Sequence, residues 1–178
     1  LPPTVFLRQT PLTEADTAMR SFASRLQLAT AGEMMWALRE RKGYLQGVTQ
    51  VDTPAAEAFH LGHGVCQDFT HAFIGCWRSL GRPARYVSGY LFAEDGSMMQ
   101  THAWVEVWHD DHWQGWDITH GTPTNETHVK LAVGLDYRSA SPMTGASVGS
   151  GTEGMASLVS VHRPSLVPAA QQPIHLQS

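Results

Sequence analysis

The chain has two cysteines, and their settings differ in a way that bears on reactivity. Cys66 follows Gly62 and Gly64 and opens a run with helical periodicity, whereas Cys76 falls on the apolar side of that run. A thiol is a strong nucleophile only as the thiolate, a form favoured by a helix N-terminus or a neighbouring histidine. At a helix start, Cys66 would meet first-turn amides that point outward and carry partial positive charge. Those amides, its own included, could stabilise the oxyanion of a tetrahedral intermediate. The base must come from further along the chain. His102 begins a strand-like segment, Thr101-His-Ala-Trp-Val-Glu-Val107, and Asp117 ends the next one, in Gly115-Trp-Asp-Ile-Thr119. Neighbouring antiparallel strands can set the two side by side, where the acid fixes the imidazole tautomer and stabilises the imidazolium. The chemistry would be attack of a thiolate on an acyl carbon through a tetrahedral intermediate. Against it stands the commoner reading of a cysteine as a small buried hydrophobe, which is how Cys76 is read.

These groups need a helical part followed by a sheet. Residues 1–12, with three prolines among the first eleven, read as an extended lead-in. Thr13-Glu-Ala-Asp16 reads as the cap and acidic first turn of a helix carrying Met19, Phe22, Ala23, Leu26 and Ala29 at helical spacing. Met34, Met35, Leu38 and Tyr44 suggest a second helix, and Thr53-Pro54 opens a short third one over Ala55 to Phe59. His60 to Gly64 is a glycine-broken turn. From Cys66, the residues Phe69, Phe73, Cys76, Trp77 and Leu80 trace one apolar helical face that stops at Gly81. Strands are expected at 84–92, 101–109, 112–118, 128–133 and 158–162, with turns at Glu94-Asp95-Gly96 and His109-Asp110-Asp111. Residues 139–157 read as a long loop, and 164–178 as a flexible tail. Helices first and strands after them predict an α+β domain over residues 13–163, its nucleophile helix packed on an antiparallel β-sheet.

Several of these motifs, in series, resemble the bacterial transglutaminase-like cysteine peptidase family. Gly64-Val-Cys-Gln-Asp-Phe-Thr-His71 is similar to its nucleophile motif, and Arg82-Pro-Ala-Arg-Tyr-Val-Ser-Gly-Tyr-Leu91 to the segment that follows. Thr101 to Val107 resembles the histidine motif, Trp113-Gln-Gly-Trp-Asp-Ile-Thr-His-Gly121 the aspartate motif, and His128 to Tyr137 the strand and turn after it. The resemblance covers residues 50–145 and implies a papain-like transglutaminase core. Cys66 would then be nucleophile, His102 general base and acid, and Asp117 its orienter. It further implies a hydrolase of peptide or amide bonds acting on a peptide or protein substrate, without a cofactor. A transglutaminase with an amine as acceptor, or a binding module that keeps the fold without turnover, are the alternatives. The family usually reads Asp-Pro-Thr-Asn where this chain has Asp117-Ile-Thr-His120, so the loop after the acid is expected to differ in shape. Family members usually carry a β-rich domain ahead of this core, and the Leu1-Pro-Pro3 start is read as that of an excised piece.

Other residues have two readings each. Asp68 either complements the helix dipole or meets substrate. Gln67 is an oxyanion donor or a solvated side chain; Gln46 and Gln50 are weaker candidates for the same role. Tyr86 packs in the sheet or lines the site, and Trp104, Trp113 and Trp116 are cleft walls or core. His60, His63 and Cys66 are evenly spaced, yet the glycines between them break any helix and no CxxC partner exists, so no metal is expected. Ten residues of helix at ~1.5 Å each would hold Cys66 and Cys76 roughly 15 Å apart, too far for a disulfide. Two unpaired thiols and no leader-like start favour the cytoplasm. A net charge of -4 argues against nucleic acid, and no apolar run suggests a membrane span.

Overall fold

The computed structural model describes residues 1–92 and 100–141. Its first helix, α1 (Thr17–Arg25), starts at Asp16, whose carboxylate accepts the Met19 amide at 2.8 Å. That position, three residues ahead, is where an N-cap acceptor belongs. Thr13, expected as the cap, is buried instead and its hydroxyl accepts from the Thr10 amide. α2 (Ala31–Arg41) opens with a reciprocal capping box between Thr30 and Glu33. Tyr44, expected on that helix, lies beyond its end in β1 (Gly43–Tyr44). α3 (Ala55–Leu61) follows Pro54 and runs past the expected Phe59, into what was read as a turn. β2 (His63–Gly64) then pairs with β1 in parallel.

α4 (Cys66–Ser79) is the organising helix. Every residue from Gln67 to Arg78 is buried, so it has no solvent face, unlike the one-sided helix its apolar spacing suggests. The first three helices cover it on one side and the sheet on the other. The sheet has the order β6–β5–β4–β3–β7 and is antiparallel throughout. Its strands are β3 (Ala84–Leu91), β4 (Gln100–His109), β5 (His112–Asp117), β6 (Thr122–Pro123) and β7 (His128–Gly134). Alternate residues Ala103, Val105 and Val107 of β4 enter the core with Phe69, Phe73 and Cys76 of α4. Between them Glu106 pairs with Arg85 of β3 and Lys130 of β7.

The lead-in is not extended. Pro3–Leu7 form a 3-10 turn, and Phe6 is buried edge-on against Trp113 at 5.3 Å. Arg78, buried at the end of α4, donates to the carbonyls of Arg8, Ala84 and Leu135, so one guanidinium joins the lead-in, β3 and the exit of β7. The β4–β5 hairpin turns on two residues, Asp110 and Asp111, both at positive φ (47° and 60°). This is the type I′ geometry, which aspartate tolerates better than most side chains. The expected turn at 94–96, the strand at 158–162, the tail at 164–178 and nearly all of the loop at 139–157 lie outside the described residues. Ala140, at that loop's start, is fully buried and its carbonyl accepts from Ser88 Oγ.

Candidate active site

Cys66 is the first residue of α4 and is partly exposed. Two contacts secure this helix start. Asp68 Oδ2 accepts the Val65 amide at 2.8 Å and the Thr49 hydroxyl at 2.7 Å. Gly64 is required for that approach, since a Cβ there would lie 2.6 Å from the same oxygen. Asp68 therefore acts as a cap rather than lining the cleft. Lys42, buried nearby, has its ammonium pKa lowered to about 8 by burial, with Asp68 pulling the other way. Gln67 lines the cleft, and its amide donates to Val51 O at 2.9 Å. Neither Gln46 nor Gln50 lines it; the Gln46 amide donates to Tyr44 instead. The second thiol, Cys76, is fully buried and burial pushes its pKa up to about 12. It is inert by that measure.

His102 sits near the start of β4, opposite Gly89 of β3. Its Nε2 and Asp117 Oδ2 are 2.7 Å apart. Cys66 and His102 line the same cleft, and with Nε2 given to Asp117 the nitrogen left to serve the thiol is Nδ1. Burial works against charge on this ring, but the hydrogen bonds and charges of Asp117 and Cys66 outweigh it and raise its pKa to about 9. The start of α4, the start of β4 and the end of β5 thus bring Cys66, His102 and Asp117 to one cleft, with the last two in direct contact.

Asp117 is fully buried and carries more partners than a simple orienter needs. Oδ2 also meets His120 Nδ1 at 2.8 Å and His128 Nε2 at 3.1 Å, and Oδ1 accepts the His120 amide at 3.0 Å. Burial alone would raise this carboxyl's pKa; the hydrogen bonds from His102 and His128 dominate and hold it far below the usual carboxylate range. Trp104 is buried beside this group, its ring 5.3 Å from that of His128 and 6.3 Å from that of His102. Gly89 makes room for it, because a Cβ there would come within 2.6 Å of the Trp104 ring.

A cleft of about 390 Å³ opens beside Cys66 and His102, lined further by Tyr86, Tyr90, Leu131 and Tyr137. Its described lining contains no Asp, Glu, Lys or Arg. Tyr86 is almost wholly buried against His71, so its main contacts are with the core. Trp113 and Trp116 do not line this cleft: Trp113 packs on Phe6, Trp108 and Arg85, and Trp116 lies against Gly32 of α2. His60 and His63 are drawn away from Cys66, His60 to Asp16 at 2.6 Å and His63 to Leu61 O. Among the described residues, the grouping of metal-ligating type is His102, Asp117 and His120. Sequence reasoning gave His120 and His128 no role at the acid. The Asp-x-x-His spacing carries a signal for the first, because a carboxylate often accepts from the residue three ahead. For His128 there is none, since only the folded sheet brings it to Asp117.

Residues 11–118 match the family model of the transglutaminase-like superfamily. An uncharacterized protein of Mycobacterium leprae is 30% identical over 169 residues, which span 88% of this chain and 60% of that protein. One of Mycobacterium tuberculosis is 30% identical over 152 residues, covering 79% of this chain and 44% of the relative. The chain thus spans about half the length of these relatives. The crystal structure of a "Putative Cysteine Protease" from Cytophaga hutchinsonii superposes with a TM-score of 0.68 at 27% identity, over 77% of this chain and 48% of that one. The periplasmic domain of TgpA from Pseudomonas aeruginosa shares the fold at a TM-score of 0.50 and 24% identity, over 67% of this chain and 49% of its own.

Proposed function

Because the chain belongs to the transglutaminase-like superfamily, we propose that it is a cysteine-dependent hydrolase of amide or peptide bonds. Cys66 attacks the carbonyl carbon as the thiolate of an ion pair, its proton already held at Nδ1 of the His102 imidazolium. The oxyanion forms at the first turn of α4, where unpaired amides stand ready. His102 returns the proton to the departing amine, which leaves a thioester on Cys66. Water, deprotonated by the same ring, then releases the acid and restores the ion pair. Asp117 holds the ring through Nε2 during both proton transfers. Trp104 keeps bulk water from the His102–Asp117 bond, where a low dielectric strengthens the contact. The observation that carries this reading is a helix-start thiol sharing one cleft with a histidine that is held at 2.7 Å by a buried carboxylate.

The test is alkylation by iodoacetamide followed by peptide mass spectrometry, with Cys76 as internal control. Cys66 is expected to react at least tenfold faster than Cys76, and to lose most of that rate in His102→Ala. Cleavage of a peptide library should then disappear in Cys66→Ala. Equal rates for wild type and His102→Ala, together with no cleavage of any peptide, would overturn the proposal.

A further inference from the structure

The acid of the site is surrounded by more imidazole than its proposed role requires. His102 Nε2, His120 Nδ1 and His128 Nε2 all point at one oxygen, Asp117 Oδ2, at 2.7, 2.8 and 3.1 Å. The ligand atoms of His102, Asp117 and His120 lie within 4.8 Å of one another. Tetrahedral zinc with bonds near 2.0–2.1 Å sets its ligands roughly 3.3 Å apart, so each nitrogen would move about half an ångström from Asp117 Oδ2 while the two nitrogens, within 4.8 Å of each other, draw together. We propose that His102, Asp117 and His120 form a binding site for zinc or a similar first-row transition ion, and that the ion inhibits the enzyme by capturing its own base.

Three features support this site. Two imidazoles and one carboxylate suit Zn²⁺ and its neighbours rather than Mg²⁺ or Ca²⁺, which prefer oxygen. The His120 side chain is 51% exposed, so an ion has an approach from solvent and a water can fill the fourth position. The His128 side chain is buried, its Nδ1 accepts the Asn125 amide, and its Nε2 donates to the carboxylate, as outer partners of metal ligands do. On binding, each coordinating nitrogen gives up its hydrogen. At His120 it can move to Nε2 by way of solvent; at His102 the Nε2 hydrogen of the imidazolium is released to solvent, which leaves Nδ1 protonated and no longer a base. Cys66 is not among the grouped ligand atoms, which are those of His102, Asp117 and His120. Binding is independent of the proposed hydrolysis, whereas inhibition rests on it.

The experiment is calorimetric titration of zinc chloride into the Cys66→Ala protein, which lacks the reactive thiol, and into the same protein carrying His120→Ala. One site per chain is expected in the first, weakened at least tenfold in the second. His120→Asn serves as a replacement if the alanine variant fails to fold by circular dichroism. In the wild type, zinc should slow alkylation of Cys66, a chelator should reverse this, and the zinc effect should be lost in His120→Asn. Absence of zinc binding in Cys66→Ala, or equal affinity with and without His120, would overturn the proposal. If Cys66 alkylation proves independent of His102 while the calorimetric difference stands, the hydrolase reading fails and the metal site survives.

Discussion

At the scale of residues, the distinctive element is Asp117. A single buried carboxylate collects three imidazole side chains and an amide, which locks its charge and its direction. His102 inherits the consequence. With its pKa raised to about 9, it stays protonated through neutral pH when paired with Asp117. Imidazole NMR signals of His102, recorded with a chelator present, are expected to titrate near pH 9 and to move down by more than one pH unit in Asp117→Asn. An unchanged midpoint would show that Asp117 is not what holds the proton. Cys66, His102 and Asp117 were picked out because each sits at the end of an element in a motif that resembles the family's, whereas spacing alone left Cys66 open to the reading of a small buried hydrophobe. His128 was not, because it stands on β7, and only the assembled sheet sets it beside Trp104 and within 3.1 Å of Asp117. The Asp117-Ile-Thr-His120 departure was visible as a change of loop; its effect, a second imidazole on the acid, was not.

At the scale of elements, α4 carries polar groups into a core where most helices would carry none. His71 lies wholly inside, its Nε2 accepting the Tyr137 amide at 3.1 Å, and burial lowers its pKa to about 4. The unfolded chain binds this proton near pH 6.5, so the neutral ring contributes stability that is present above that pH. It is lost as pH falls from about 6.5 to about 4, and amounts to on the order of 3 kcal/mol. His102 acts in the opposite sense: its contribution is complete below pH 6.5 and is lost as pH rises through about 9. Urea unfolding across this range should give a maximum near pH 6.5, and a His71→Gln variant should flatten the acid side. The apolar spacing of α4 was readable from sequence, but burial of its remaining faces was not, since that depends on helices and sheet meeting around it. The Asp110-Asp111 hairpin was likewise obscure, because its geometry is the one that Asn-Gly usually signals.

At the scale of the whole molecule, the α+β order of elements was legible and the domain's edge was not. Residues 1–12 were read as a lead-in, yet Phe6 packs on Trp113, Gln9 donates to Gly75 O, and Arg8 O serves Arg78. Proline-rich composition hides such a strap, whose worth lies in distant partners. A chain starting at Thr13 is expected to melt lower by on the order of 10 °C, given the lost Phe6 burial and an unsatisfied guanidinium. A melting point unchanged by the truncation would return this segment to the status of a passive leader. The reacting atoms are divided between layers: the sulfur arrives on the first turn of α4, and the ring and carboxylate arrive on strands of the sheet. The gap between sulfur and nitrogen is therefore a vernier set across the seam of the molecule. A slip of about 1 Å between the layers would silence the chemistry on the order of a hundredfold while every strand stayed paired.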